Sequence, residues 1–152
     1  HFRQHHLFAD WVDWNSEVFR DFLNEGERVC GEWMAQAHGI RYPRQYLGAP
    51  LYVFDLMDES GRKSRAEFDE RWWGVRSLQG VCATPREIAF HPRKPDELAA
   101  VSGRTSYEPE GFVYRVERDG QFEFIAKWVR PDFEPGKYLE SVTGRAPVWN
   151  FL

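Results

Sequence analysis

Residues 110–130, EGFVYRVERDGQFEFIAKWVR, contain the clearest structural pattern in the chain. Two runs of β-favouring residues flank Asp119-Gly120, a dipeptide typical of a two-residue type I′ turn. The pattern predicts a β-hairpin in which Arg118 faces Gln121. The stretch therefore indicates an antiparallel sheet near the end of the chain.

This register brings two opposite charges together. Continued along the strands, it pairs Phe112 with Lys127 and Glu110 with Val129. Glu110 and Lys127 would then project from one face as diagonal neighbours, about 7–8 Å apart at the backbone. Arg130 falls on the opposite face unless a bulge intervenes. The charged pair is either part of a site or a plain cross-strand ion pair, worth under about 1 kcal/mol.

Two further strands are predicted upstream of the hairpin. Residues 28–34 alternate in a way that places Glu32 on one face with the apolar residues Cys30 and Met34. Residues 51–57 form a second β-favouring run, and the proline- and glycine-containing segment 35–50 between them is expected to be a loop.

Amphipathic spacing predicts helices at 13–24, 64–78 and 96–101, with the irregular stretch 84–95 before the last of them. Of the adjacent pair Trp72-Trp73, at least one ring should be in the core, although exposed rings of this kind can also stack on nucleic-acid bases. His1, His5 and His6 lack a metal-type spacing and are interpreted as a frayed terminus.

Composition bounds the possible functions. The chain has 152 residues, 42% of them hydrophobic, which is enough for one domain with a core, and no stretch long and apolar enough for a membrane span. Cys30 and Cys82 have no metal-type spacing, which fits a reducing, cytoplasmic location. The net charge of −4 argues against a generally basic nucleic-acid binder. Contacts with nucleic acid would depend on local basic clusters, although such clusters are more often solvated surface: Arg62 with Lys63 and Arg65, Arg41 with Arg44, and Arg86 with Arg93 and Lys94.

Several short segments, taken in order, resemble the nucleotide-binding motifs of covalent nucleotidyltransferases, and of the RNA ligase family in particular. The resemblance extends from about residue 12 to residue 135. The segments are Gly31-Glu32-Trp33, Tyr52-Val53-Phe54-Asp55, Glu110-Gly111-Phe112-Val113 and Lys127-Trp128-Val129-Arg130.

The resemblance implies a role for each motif residue. Glu32 would accept hydrogen bonds from the ribose, and Phe54 would stack on the purine. Glu110 would serve a divalent metal, Mg²⁺ or Mn²⁺, and Lys127 would contact the α-phosphate of ATP or AMP. Many relatives carry a second lysine where this chain has Val129, so Arg130 is expected to take that role. His38 and Arg41 are lesser candidates for contacts with nucleotide or RNA.

A second departure from the family is the absence of one whole motif. Relatives carry a Lys-x-Asp-Gly motif ahead of the others, with the lysine as nucleophile, and none of Lys63, Lys94, Lys127 and Lys137 stands in such a motif. The expectation is that the chain starts downstream of it, so that 1–152 is a partial, N-terminally incomplete adenylyltransferase domain. Arg3 is then a candidate for the arginine that relatives carry shortly after the nucleophile. The implied fold is α+β, with antiparallel sheets forming a nucleotide cleft, helices outside and one exposed sheet edge.

The resemblance implies an ATP-dependent RNA ligase. In the complete enzyme AMP passes from ATP to a lysine and then to an RNA 5′-phosphate, and it is released when a 3′-OH attacks. The partners would be ATP and RNA ends, with no membrane and an undetermined oligomeric state. Two alternatives stay open: a non-catalytic nucleotide- or RNA-binding module, and a related DNA ligase or capping guanylyltransferase.

Overall fold

The computed structural model describes residues 2–89, 91, 93–102 and 109–151, and it shows an α+β arrangement. In this part of the chain the strands form two sheets. The first, with the strand order β1-β2-β3 and β4 beside β2, contains β1 Arg28–Trp33, β2 Leu51–Asp58, β3 Gly61–Arg62 and β4 Cys82–Ala83. The second contains β5 Gly111–Arg118 and β6 Gln121–Val129.

The first sheet is mixed, which differs from the expected antiparallel arrangement. β1 and β3 run antiparallel to β2, whereas β4 runs parallel to it. A parallel neighbour requires a crossover, and the helical segment between β3 and β4 supplies it. The strand predictions for 28–34 and 51–57 are confirmed to within one residue.

Strand β2 contains a β-bulge at Phe54. Cys30 pairs with Asp55 and Gly31 pairs with Val53, so Phe54 is the extra residue of β2. The bulge turns Asp55 into the interior, where only 1% of it is exposed, and leaves Phe54 half-buried. A bulge bends its strand and re-aims the side chains beside it.

The first four helices pack around the first sheet, and the fifth packs against the hairpin. They are α1 Arg3–Trp14, α2 Ser16–Phe22, α3 Arg65–Gly74, α4 Arg76–Gln79, α5 Pro95–Ser102 and α6 Glu140–Thr143, with a short 3₁₀ turn at Arg44–Tyr46. The core cluster draws on β2, β4 and helices α2 to α4: Phe22, Leu51, Val53, Leu56, Phe68, Trp72, Leu78 and Cys82. Trp72 is in this core and Trp73 is 65% exposed, as the spacing predicted for at least one of the two.

Helix α1 corrects the prediction of a frayed terminus. His5 and His6 lie inside this helix, while His1 lies outside the described residues. Aromatic packing explains the difference, because Phe8 and Trp11 contact Trp33 of β1 with ring centroids 5.2 and 5.4 Å apart. The predicted helix 13–24 corresponds to α2, the helix at 64–78 is divided at Val75, and the helix at 96–101 is confirmed.

The β5–β6 hairpin forms with the predicted turn but with a shifted register. Arg118 pairs with Gln121, and Asp119 and Gly120 have the positive φ angles, 51° and 73°, of a type I′ turn. Beyond Glu117 a bulge makes Glu123 the extra residue. The pairing of Phe112 with Lys127 is therefore wrong, since Phe112 faces Trp128 and Lys127 faces Val113.

Within the described residues, none of the helices combines the length and the apolar character that crossing a membrane requires.

Candidate functional site

A shallow hollow with a cavity volume of about 30 Å³, open to solvent, lies between the end of β1 and the start of β5. This volume is far below the roughly 300–1,000 Å³ of small-molecule pockets, so a nucleotide would lie mainly across its open face. Two of the motif carboxylates line it: Glu32, which belongs to β1, and Glu110, which is the residue before β5. The rest of the lining comes from the loop after β1 and from the C-terminal segment: Trp33, Met34, Gln36, His38, Gly39, Ile40, Tyr42 and Asn150.

Glu32 is held at the rim by a close approach of two backbones. The preceding residue is Gly31, and a Cβ atom there would lie 2.7 Å from the Tyr52 carbonyl oxygen. Only glycine lets β1 lie this close to β2 at the bulge. The Glu32 side chain is exposed, and Met34, its predicted neighbour on that face of the strand, lines the same hollow. Its position beside Tyr42 and His38 in the hollow leaves it open to a polar ligand.

Glu110 and Lys127 form an ion pair, in which the Lys127 ammonium donates to Glu110 Oε1. The predicted meeting of these two groups is confirmed, although the predicted register is not. Glu110 lies just outside β5, where its carbonyl accepts from the Arg130 N–H at 3.0 Å. The side chain of Lys127 is 53% exposed and that of Glu110 33%, so both remain reachable by a ligand.

Gly111 sets the path of the backbone at Glu110. A Cβ atom at residue 111 would lie 1.9 Å from the Trp128 carbonyl oxygen, closer than any side chain permits. The Glu-Gly order of this motif therefore has a steric origin, as does the Gly-Glu order at Gly31-Glu32. In both places the carboxylate is next to a glycine that lies against the neighbouring strand.

Arg130 lines a second hollow, of about 210 Å³, together with Gly39, Asp132, Glu134 and Lys137. Its guanidinium bonds Asp132 at 2.7 Å. Gly39 lines both hollows, which makes them neighbours. The bulge at Glu123 places Arg130 across from Glu110, but its side chain is outside the lining of the first hollow.

Of the motif residues, Phe54 has the position that differs most from its predicted role. It is half-buried at the β2 bulge and is among the lining residues of neither hollow. The structure thus brings Glu32 and Glu110 together and adds Lys127 through its bond to Glu110. Phe54 and Arg130 do not share that lining.

Asp55 is a residue whose importance sequence reasoning missed. Its carboxylate accepts a hydrogen bond from Arg62 Nε at 2.7 Å and another from the Arg115 guanidinium. Arg115 belongs to β5, so this pair joins the hairpin to the first sheet. Two features of the sequence could have indicated this pair: Asp55 stands in the otherwise apolar run 51–57, and Arg115 stands in the middle of another strand. Buried charges are normally paired, so each residue calls for a partner of opposite charge.

The same network extends around Arg115. Its guanidinium also donates to the Lys63 carbonyl and, at 2.6 Å, to Glu117 Oε1. Glu117 in turn accepts the Arg65 backbone N–H at 2.7 Å. The Phe122 ring lies 5.0 Å from the Arg115 guanidinium and 5.2 Å from that of Arg62, within the range of a cation–π contact. The hairpin is therefore held to the sheet by a satisfied polar network.

The comparison with protein-family models gives the RNA ligase family, with residues 1–129 matched. The chain belongs to the RNA ligase family. Searches of curated proteins and of solved structures gave no significant match. The family match ends at the last residue of β6, so the part of this RNA ligase domain from Arg130 to the C-terminus lies outside it.

Two carboxylates of the RNA ligase domain, Glu32 and Glu110, could hold a divalent metal. The described residues contain no cluster of three or more histidine, cysteine, aspartate or glutamate side chains suited to one. Mg²⁺ does not require such a cluster, because it usually takes one or two carboxylates and completes its shell with water and phosphate. The donor set around the hollow is compatible with that type of site.

Both cysteines of the domain are free thiols. Burial raises the pKa of the Cys82 thiol to about 12, so it stays protonated and unreactive in the core. The Cys30 thiol lies 3.2 Å from the sulfur of Met57. Neither cysteine lines the hollow.

Proposed function

We propose that this chain is the nucleotide-binding part of an ATP-dependent RNA ligase that transfers AMP to an RNA 5′-phosphate before phosphodiester formation with a 3′-OH. The observation that carries the proposal is the shared hollow. In a domain of the RNA ligase family, two motif carboxylates from different sheets line one depression, and the motif lysine bonds one of them.

Lys127 is the residue proposed to bind the α-phosphate. During adenylyl transfer this phosphate gains negative charge, and a fixed ammonium stabilises that charge. The bond of the Lys127 ammonium to Glu110, a lining residue of the hollow, supports this role, although Lys127 itself is not part of the lining. A divalent metal, when bound, would neutralise further phosphate charge, and Glu110 is the residue proposed to hold it.

The remaining roles concern the nucleoside and the second cation. Glu32 is proposed to accept hydrogen bonds from the ribose hydroxyls, which its exposed position in the hollow supports. Phe54 is proposed to stack on the base, an interaction worth about 1–3 kcal/mol. Arg130 is proposed as the second phosphate contact. Only motif position supports these last two roles, because neither residue lines the hollow.

Formation of a covalent enzyme–AMP bond requires a nucleophilic lysine, and residues 1–152 contain no Lys-x-Asp-Gly motif to supply one. Of the lysines, Lys63, Lys127 and Lys137 are engaged with Asp58, Glu110 and Glu134 respectively. We infer that residues 1–152 bind the nucleotide without forming a covalent enzyme–AMP bond.

Incubation with α-labelled ATP and Mg²⁺ tests this directly. After a denaturing gel we expect no label on the chain, while equilibrium dialysis under native conditions should detect bound AMP. Excess GTP should displace the AMP poorly, whereas efficient displacement would favour a guanylyltransferase. Label that survives denaturation would show that one of the lysines serves as the nucleophile, and absence of native binding would contradict the proposal.

The non-catalytic binding module remains the second candidate, because this chain lacks the nucleophile motif. The two candidates differ in the coding sequence before His1. A Lys-x-Asp-Gly there, together with covalent labelling of the longer product, would support the ligase. A start codon at this position, with nucleotide binding intact, would support the binding module.

A further inference from the structure

The end of the chain is folded against the loop that forms the wall of the hollow. We refer to residues 148–151 as the C-terminal strap and to residues 34–42 as the wall loop. Gln36 of the wall loop forms a β-bridge with Trp149 of the strap. The Ala37 N–H donates to the Val148 carbonyl at 2.8 Å, and the Asn150 N–H donates to the Ala35 carbonyl at 2.7 Å.

The side chain of Asn150 connects the two ends of the wall loop. Its Oδ1 accepts the Tyr42 N–H at 3.0 Å, and its Nδ2 donates to the Met34 carbonyl at 2.9 Å. Asn150 is 7% exposed and lines the hollow together with Glu32 and Glu110. One amide group therefore satisfies a donor at the end of the loop and an acceptor at its beginning, and it fixes the distance between them.

Other residues beyond β6 support the middle of the same loop. The Tyr138 N–H donates to the His38 carbonyl at 2.8 Å. The Phe133 ring lies so close to Gly39 that a Cβ atom there would be 2.2 Å from it. The Trp149 ring in turn lies under the Arg3 guanidinium of α1, 5.5 Å away. The residues that support the wall loop in this way, namely Phe133, Tyr138 and the strap, all lie outside the 1–129 family match.

We propose that Asn150 is a positioning residue of the nucleotide hollow, acting through the backbone of Met34 and Tyr42. The inference rests on the proposed function, because it assigns nucleotide affinity to a residue that holds the wall loop in place. Without the Asn150 amide, the part-buried Tyr42 N–H and Met34 carbonyl lose these two hydrogen bonds, and the wall loop gains alternative conformations. AMP then binds only to the fraction of molecules in which the wall is formed.

The test compares Asn150→Ala with Asn15→Ala in the 152-residue chain. The Asn15 side chain also bonds a backbone carbonyl, that of Trp11 at 2.7 Å, but Asn15 is not among the residues lining the hollow. We expect Asn150→Ala to raise the AMP dissociation constant about tenfold, the equivalent of one well-made hydrogen bond. Asn15→Ala should leave the constant unchanged.

Amide exchange supplies a readout that a general loss of stability would not reproduce. In Asn150→Ala, exchange of the Tyr42 and Ala37 amides should accelerate while that of the β5–β6 hairpin stays constant. Because coupling is reciprocal, AMP should slow the Tyr42 amide in the wild-type chain more than in the variant. Acceleration spread evenly over the chain would overturn the positioning role.

A second variant keeps the inference testable if Asn150→Ala does not fold. Asn150→Gln keeps the amide but displaces it by one methylene, so both hydrogen bonds weaken without being removed and we expect an intermediate dissociation constant. If the folded Asn150 variants bind AMP with the same affinity as the wild-type chain, the inference is overturned and the proposed function is unaffected. Failure of the wild-type chain to bind AMP overturns both.

Discussion

Asp55 on β2 and Arg115 on β5 form an ion pair that joins the two sheets of the RNA ligase domain. Asp55 is 1% exposed, and Arg62 completes its coordination at 2.7 Å. Glu32 belongs to the first sheet, whereas Glu110 and Lys127 are carried by the hairpin. The Asp55–Arg115 pair therefore helps to fix the relative position of the two sheets, and with it the position of Glu32 relative to Glu110 and Lys127.

Asp55→Asn should therefore destabilise the domain although the two side chains have the same shape. The amide removes the negative charge that two guanidinium groups share, and it leaves them poorly compensated. We expect a loss of about 2–4 kcal/mol in the free energy of unfolding, measured in urea. Asp58→Asn on the same strand is the control, since Asp58 pairs with Lys63 in a more exposed position. Equal losses in the two variants would rule out the linking role of Asp55.

Gly111→Ala tests the steric origin of the Glu-Gly motif. The new methyl group would lie 1.9 Å from a backbone oxygen of β6, so the strands must separate at that point. We expect a loss of about 1–3 kcal/mol in stability, as for other overpacked sites, together with weaker AMP binding because Glu110 moves.

Gly74→Ala is the matched control for this substitution. A Cβ atom at Gly74 meets nothing within 4 Å, and the residue ends α3. Alanine there should be neutral or stabilising by up to about 1 kcal/mol. If Gly111→Ala behaved in the same way in thermal unfolding and in AMP titration, the close approach of β5 and β6 would not constrain the site.

Lys127→Ala should reduce the affinity for AMP far more than the affinity for adenosine. In the proposed function this ammonium contacts phosphate, and adenosine has none. We expect AMP binding to weaken by about tenfold or more in calorimetric titration, as for loss of a charge-assisted hydrogen bond. Lys94→Ala, at an exposed position before α5, should change neither affinity. A parallel loss for both ligands would place Lys127 away from the phosphate.

The local elements of this fold could be predicted from sequence because their signals are local. Asp119-Gly120 specifies its turn through two positive φ angles, and the β-favouring runs specify β1 and β2. The meeting of Glu110 and Lys127 was predicted as well, but from a register that the bulge at Glu123 shifts by one residue.

What could not be predicted depends on contacts between distant parts of the chain. The bulges at Phe54 and Glu123 shift every later pair by one residue, and no local preference marks them. Asp55 meets Arg115 across sixty positions, and Asn150 meets Met34 across 116. Helix α1 is likewise stabilised by packing of its aromatic rings on Trp33 and not by caps or charge at its ends.

Ser64→Ala should produce a stability loss that decreases as the pH falls. Ser64 caps α3: its Oγ accepts the Glu67 N–H at 3.2 Å, and its hydroxyl and N–H both bond the Glu67 carboxylate, at 2.7 and 3.0 Å. The Ser64 side chain, and then its backbone N–H, hold the pKa of Glu67 below its usual 4.5. A lowered pKa stabilises the folded chain above pH 4.5, and this stabilisation is lost as the pH drops through the folded value.

We therefore expect Ser64→Ala to cost about 1 kcal/mol at pH 7 and less at pH 3, measured by urea unfolding at both. Part of the cost should remain in acid, because the serine Oγ still accepts the Glu67 N–H when the carboxyl is protonated. Ser77→Ala, at an exposed position in α4, should give a difference that does not vary with pH. A Ser64→Ala loss that is equally large at both pH values would mean that the cap acts through the backbone alone, with no contribution from the Glu67 carboxylate.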